Sequence, residues 1–341
     1  MSADNVTVIF PDSGELPSEL AFERTLVIGS FLGCMAWGLH ACVYVAAMYF
    51  SLVSLGRRQR SPWLSWGFMG YMTVLFALAT TFVGTNIQAN INAYITHRDY
   101  PGGPYIYAFN AFRKPMTLIG NNICPIITIL LTDALLVWRL YVIWDVYSSW
   151  ILVCPAIMLL ASTAMGILLL FTSAQPGHTL NSEDAVHVGT AFWSISLSMT
   201  VICTLLIVAR LIYLQRQAVK ALGNIPEYRD HYISAWTILL ESSALYTIFG
   251  FVYLILLKVL YCRYNRNNPV NNIFDSLMAQ VVCISSDLII LRIAMGRGWT
   301  SQTSAHISAL IFNSAHPTTT DKDAVTNELG SSHTSVNVEL E

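Results

Sequence analysis

Long apolar stretches separated by short polar ones dominate this chain. Seven of them are long enough to cross a bilayer, whose hydrocarbon core of about 30 Å takes roughly 20 helical residues. They run Thr25–Leu55, Leu64–Ile87, Met116–Trp144, Trp150–Phe171, Thr190–Tyr213, Tyr232–Leu257 and Ile273–Ala294. Each run is continuous rather than alternating over short segments, which predicts helices and not barrel strands. The expected fold is therefore all-α, a polytopic membrane protein built as a seven-helix bundle. The second run closes in polar residues (Thr85, Asn86, Gln88, Asn90, Asn92), which leaves its outer end undefined. Pro125, inside the third run, predicts a lost backbone hydrogen bond and a kink.

The flanks divide the chain into three parts. Residues 1–24 carry Asp4, Asp12, Glu15, Glu19 and Glu23 and no basic n-region. They read as an extracellular N-terminal segment without a cleavable signal peptide, the first helix serving as its own membrane signal. Residues 25–298 form the transmembrane domain. Residues 299–341 hold fourteen Ser and Thr and a Pro317-Thr-Thr-Thr run, the composition of a disordered cytoplasmic tail. No internal repeat is present, which speaks against transporters built from paired halves.

Lys and Arg placement sets the orientation. With the N-terminus outside, the inner ends hold Arg57, Arg58, Arg60, Arg139, Arg210, Arg216, Lys220, Arg229, Arg292 and Arg297. The outer side holds Arg24, Arg98, Arg113, Lys114, Lys258, Arg263 and Arg266. The Arg57–Arg60 cluster directly after the first helix weighs most, and the expectation is N-out, C-in, at the plasma membrane. Asn5, in Asn5-Val6-Thr7, is then a glycosylation acceptor on the outer side.

Composition agrees with the hydropathy pattern. The chain is 55% hydrophobic and 11% charged, with a mean hydropathy of +0.54, against about 25% charged residues in ordinary soluble domains. A net charge of −2 gives no basic footprint for nucleic acid; the partner expected throughout is the lipid bilayer. The seven cysteines show no metal-ligand spacing, and Cys34, Cys42, Cys124, Cys154 and Cys203 sit in apolar runs. None of Lys114, Lys220, Lys258 and Lys322 lies in the seventh run, which excludes a retinal Schiff base there. Only His40 among the histidines is deep in a helix, and no histidine pair has zinc-hydrolase spacing. Neither a phosphate loop, a dinucleotide fingerprint nor a nucleophile elbow occurs, and no cofactor is expected.

Charge at membrane depth is costly and normally faces the bundle interior with a partner. Three acids qualify: Asp133, Glu241 and Asp287. At about 1.5 Å per residue they lie about 10–13 Å from the inner surface, at one level. Arg139 and Arg292 follow just below. Six and five residues separate Asp133 from Arg139 and Asp287 from Arg292, so neither pair shares a helix face, and pairing must run between helices. Two readings stay open. One is an ionic latch joining the third, sixth and seventh helices that opens in one state. The other is static polar glue, with the arginines snorkelling to the lipid surface.

Nearer the outside, Asn86, Gln88, Asn121 and Asn122 and the aromatics Tyr94, Tyr100, Tyr105, Tyr107, Phe109 and Phe112 admit two readings. They line an outward pocket for a small, partly apolar ligand, or they form a headgroup-level aromatic belt.

Leu130–Trp144 (with Thr132-Asp133 and Trp138-Arg139), Ile284–Gly296 and Glu241-Ser-Ser-Ala-Leu-Tyr246 resemble a large family of seven-helix membrane proteins from mushroom-forming fungi. The likeness covers about residues 25–298 and implies topology more than activity. A looser resemblance is to G-protein-coupled receptors: seven helices, N-out, with an acid and an Arg in the third helix. Asp-Arg-Tyr and Asn-Pro-x-x-Tyr are absent, and no Cys lies in residues 173–189.

Three functions follow as expectations. The leading one is a receptor-like protein that senses a small extracellular ligand and signals to a cytoplasmic protein at the basic segment 210–231. The others are an intramembrane enzyme using neutral buried carboxyls on a lipid or isoprenoid, and a proton-coupled transporter using the same acids as a relay.

Overall fold

The computed structural model describes residues 17–56, 62–101, 103–111, 115–144, 149–174, 183–222, 243–256 and 269–295. Among these the chain is helical, with no strand. The helices are α1 (Pro17–Gly56), α2 (Pro62–Thr96, its last turn π-helical), α3 (Gly103–Ala111), α4 (Pro115–Trp144), α5 (Ser149–Ala174), α6 (Glu183–Leu222), α7 (Ser243–Ile255) and α8 (Pro269–Ala294). Six of them (α1, α2, α4, α5, α6 and α8) are long and apolar enough to cross a membrane, and α7 is a shorter apolar helix.

Helix lengths depart from the apolar runs where polar residues continue a helix. α1 begins at Pro17, inside the segment expected to precede the bundle. α2 continues through its polar end to Thr96. There the amides bond along the helix, Asn86 Nδ2 to the Phe82 carbonyl at 3.2 Å and Asn90 Nδ2 to the Asn86 carbonyl at 3.1 Å. α6 runs on to Leu222, so the first half of the basic segment 210–231 is helix rather than loop, and residues 223–231 lie outside the described residues.

Pro125 follows a π-helical turn, Leu118–Ile123. Proline has no N–H to give the carbonyl four residues back, and the wider turn absorbs that loss, with Cys124 N–H bonding instead to the Ile119 carbonyl.

Neighbouring helices alternate in direction. Contacts at Ser30–Asn90, Trp37–Thr80 and Tyr44–Thr73 make α1 and α2 antiparallel. Asn121 at Thr85 and Trp138 on Phe68 do the same for α2 and α4. Gly166 faces Phe192 and Gly189 faces Leu169, so α5 opposes α6. α7 opposes α6 through Trp193–Tyr253 and Ser196–Tyr246, and opposes α8 through Tyr253–Asp275 and Gly250–Met278. α1 and α8, the most extensive helix pair, run parallel: Gly29 stands at Asn272 and Ser276, His40 at Gln280 and Asp287.

The surface is apolar, unlike that of a soluble bundle, and the interior sets polar residues among apolar clusters. Phe31, Met35, Leu39, Val45, Tyr49 and Leu52 form an exposed stripe on α1; Leu160, Ile167 and Phe171 do so on α5. His40, Ser51, Thr128, Asp133, Ser162, Ser196, Thr200, Gln280 and Asp287 are buried. Many hydroxyls bond carbonyls three or four residues back, as at Thr73, Thr80, Thr128 and Thr132, which satisfies them inside apolar surroundings. Exposed Tyr49, Trp63, Tyr141, Trp150 and Tyr213 lie at helix ends that the alternation brings to one side, an arrangement suited to a membrane–water interface.

Candidate functional site

Asp133 and Asp287 are both buried inside the bundle, away from lipid. Packing holds them at one level. Leu131 lies against the cluster of Cys283, and Leu135 packs with Ile289 and Ile290, which brings Asp133 beside the 286–287 turn of α8 in register. Glu241 lies outside the described residues.

The two acids belong to different hydrogen-bonded clusters. Ser196 Oγ on α6 donates to Asp133 Oδ1 at 3.0 Å, and the Tyr246 hydroxyl on α7 is 3.1 Å from Ser196 Oγ. With the Ser196 proton committed to the carboxyl, Tyr246 donates to Ser196. A chain of hydroxyls thus ties α4, α6 and α7, while Asp133 Oδ2 has no hydrogen-bond partner. Asp287 Oδ2 is 3.1 Å from His40 Nε2, and His40 Nδ1 is 3.2 Å from Gln280 Oε1. Gln280 Nε2 reaches the Ala79 carbonyl at 3.4 Å, so this cluster joins α8 to α1 and α2.

Arg139 is buried rather than snorkelling: it turns inward toward the Tyr71 side, with Nη1 unpartnered. Tyr71, on α2, has Ser286, Asp287 and Arg139 within electrostatic reach, yet its hydroxyl lacks a hydrogen bond of good geometry, as does Asp287 Oδ1. Arg292 is half-buried on the last turn of α8. Arg210 is half-buried, its guanidinium 5.3 Å from the Trp144 ring centroid and 5.7 Å from that of Tyr213, with Nε buried and unpartnered.

Of the expected outer pocket residues, two come together. Asn121 accepts from Thr85 Oγ1 at 3.1 Å and reaches Asn86 Oδ1 at 3.5 Å. Gln88 is exposed and bonds Asn92 at 3.2 Å, one turn along its own helix. Asn122, next to Asn121 on a π turn, points elsewhere and is buried with Oδ1 unpartnered. The loop aromatics form a cap: Tyr107 stacks on His97 at 4.5 Å and meets Tyr100 edge-on at 5.4 Å. The side chains of Tyr105, Phe109 and Phe112, together with Asn5, lie outside the described residues.

Sequence reasoning passed over His40, Gln280, Ser196, Tyr246 and Tyr71 as site residues. One signal was present. Gln280 and Asp287 are seven residues apart, two helical turns, and so share a face of α8. A lone deep histidine is the natural partner for such a face.

Comparison with protein-family models, with curated proteins and with solved structures finds no match. Fold and site together define a class: a helical membrane protein with six apolar helices of spanning length and a polar, hydrogen-bonded interior.

Proposed function

We propose that this chain is a seven-helix, receptor-like integral membrane protein, N-terminus outside and C-terminus inside. It senses a small, partly apolar extracellular ligand and signals to a cytoplasmic protein. The resemblance to the fungal seven-helix family belongs to the same reading. Support for seven crossings comes from direction: α1 and α8 run parallel, which an odd number of crossings produces. α7 opposes both of its neighbours, and the apolar run Tyr232–Leu257 is long enough to make it a full span.

One observation carries the signalling reading. Buried polar side chains at one level tie α1 to α8 and α4 to α6 and α7. Beside them, Arg139 Nη1, Asp133 Oδ2 and Asp287 Oδ1 are buried without hydrogen-bond partners. Buried hydrogen-bonding capacity left unused is costly. A second arrangement of the same helices that uses it would be close in energy, which is what a ligand-driven population shift requires. In this reading the Asn86–Asn121 pair supplies the ligand side, and the α6 extension the partner side.

The test is proximity labelling from an enzyme fused after Glu341, comparing wild type with Asp133→Asn at equal surface expression. The receptor reading expects a soluble cytoplasmic protein among the labelled set whose recovery changes in the variant. Identical labelling in both defeats it. Proton flux into proteoliposomes would move the assignment to transport, and loss of a lipid product from cells would move it to catalysis.

A further inference from the structure

From the donors and acceptors around His40 we infer that His40 and Asp287 form an intramembrane proton-binding site. Its ligand is a single proton shared between imidazole and carboxyl, and its release uncouples α1 from α8.

Both ring nitrogens of His40 face oxygen. Gln280 Nε2 points at the Ala79 carbonyl at 3.4 Å, which turns Gln280 Oε1 toward His40 Nδ1 at 3.2 Å. An amide oxygen only accepts, so Nδ1 carries hydrogen. The opposite nitrogen, Nε2, is 3.1 Å from Asp287 Oδ2, and a bond there needs a hydrogen on one atom or the other. If it sits on nitrogen, the pair is imidazolium and carboxylate; if on oxygen, it is neutral imidazole and carboxylic acid. Both hold the same number of protons and have no net charge. A neutral imidazole beside a carboxylate lacks that hydrogen and sets a nitrogen lone pair against an anion. The side chains of both residues are fully buried, so water does not relieve the repulsion.

The groups facing this pair define the other state. From α8 there is Cys283, from α2 Tyr71, and from α4 Arg139, whose charge reaches Tyr71. Asp287 Oδ1 and Arg139 Nη1 have no hydrogen-bond partner, and the Tyr71 hydroxyl has only Ser286, next to Asp287, within reach. When the dyad gives its proton to water, the remaining carboxylate has a hydroxyl donor and, behind it, a guanidinium to turn to. Asp287 then leaves α1 for the α2–α4 side. Proton binding thereby selects which helices Asp287 holds together.

Asp287→Asn gives the decisive variant, because the amide reproduces the proton-bound pattern permanently: Asn Nδ2–H donates to His40 Nε2 while Nδ1–H still donates to Gln280. The full chain in lipid nanodiscs is titrated from about pH 5 to about pH 9, a range that brackets ordinary histidine chemistry. Infrared difference spectra and thermal unfolding are followed together. Wild type is expected to show a transition releasing one proton per molecule, which Asp287→Asn and His40→Gln both lack while still unfolding cooperatively. A wild-type titration unchanged in both variants overturns the site. Should a variant fail to fold, nitrogen NMR of histidine-labelled wild type decides. At the acidic end, His40 protonated at both nitrogens, or at Nδ1 beside a neutral carboxyl band, supports the site. Neutral imidazole with an ionised carboxylate throughout overturns it.

Discussion

Gly29 on α1 lies so close to Asn272 on α8 that a Cβ built on it would stand 3.0 Å from the Asn272 carbonyl oxygen. Ser276 Oγ at 3.2 Å and Ile273 Cα at 3.3 Å close the remaining space. Two of these three neighbours are backbone and cannot rotate away. Gly29-Ser-Phe-Leu-Gly33 is a Gly-x-x-x-Gly stripe of the kind that lets membrane helices approach through their backbones. That approach brings His40, three turns further on, within bonding distance of α8.

Gly29→Val is therefore expected to destabilise the bundle by about 1–3 kcal/mol, the range for overpacking a close contact. Gly33→Ala is the control: its new Cβ would sit 3.5 Å from Ser276 Cβ, an ordinary contact. Thermal unfolding in mild detergent distinguishes them, and equal losses at both sites would contradict the packing argument.

Gly120 performs a similar service between α4 and α2. A Cβ there would land on the Thr85 side chain, whose hydroxyl has the Thr81 and Phe82 carbonyls and Asn121 Oδ1 as alternative acceptors within reach. Gly120→Ala is expected to cost about 1–3 kcal/mol. Adding Thr85→Gly should recover part of the loss, a non-additivity that a double-mutant cycle reads directly. Strict additivity would mean the two residues are not in contact.

Ser196→Ala removes the donor to Asp133 and strands the Tyr246 hydroxyl in the same step. Leaving buried polar groups unpaired costs about 1–3 kcal/mol. The double variant Ser196→Ala/Asp133→Leu should be less unstable than the sum of its parts, since one unpaired acceptor is then gone. Unfolding midpoints of the four proteins give the coupling; no coupling would place Asp133 in some other network.

The topology prediction rests on the Arg57–Arg60 cluster. Asn5 is expected to carry an enzyme-removable glycan, and an epitope after Glu341 to survive protease added to intact cells. Digestion of that epitope without permeabilisation would reverse the orientation.

The sequence by itself determined the helical membrane class. A span needs about 20 apolar residues, and that requirement leaves a local mark any reader of the chain can see. It also put Asp133 and Asp287 inside the bundle, where both are buried, because the cost of lipid exposure is a property of one side chain. Partners are another matter. His40 and Asp287 are 247 positions apart, and Ser196 and Asp133 are 63 apart. No periodicity along a single helix records which face of a distant helix it will meet. Tertiary packing decided that: the backbone contact at Gly29 sets α1 against α8, and Asp133 finds its partner on α6 instead. The polar end of α2, which composition left undefined, was settled locally: Asn86 and Asn90 bond to carbonyls of their own helix. The buried Arg139, by contrast, was illegible. Whether a long basic side chain snorkels outward or turns inward depends on the neighbour it finds, and Tyr71 comes from another helix.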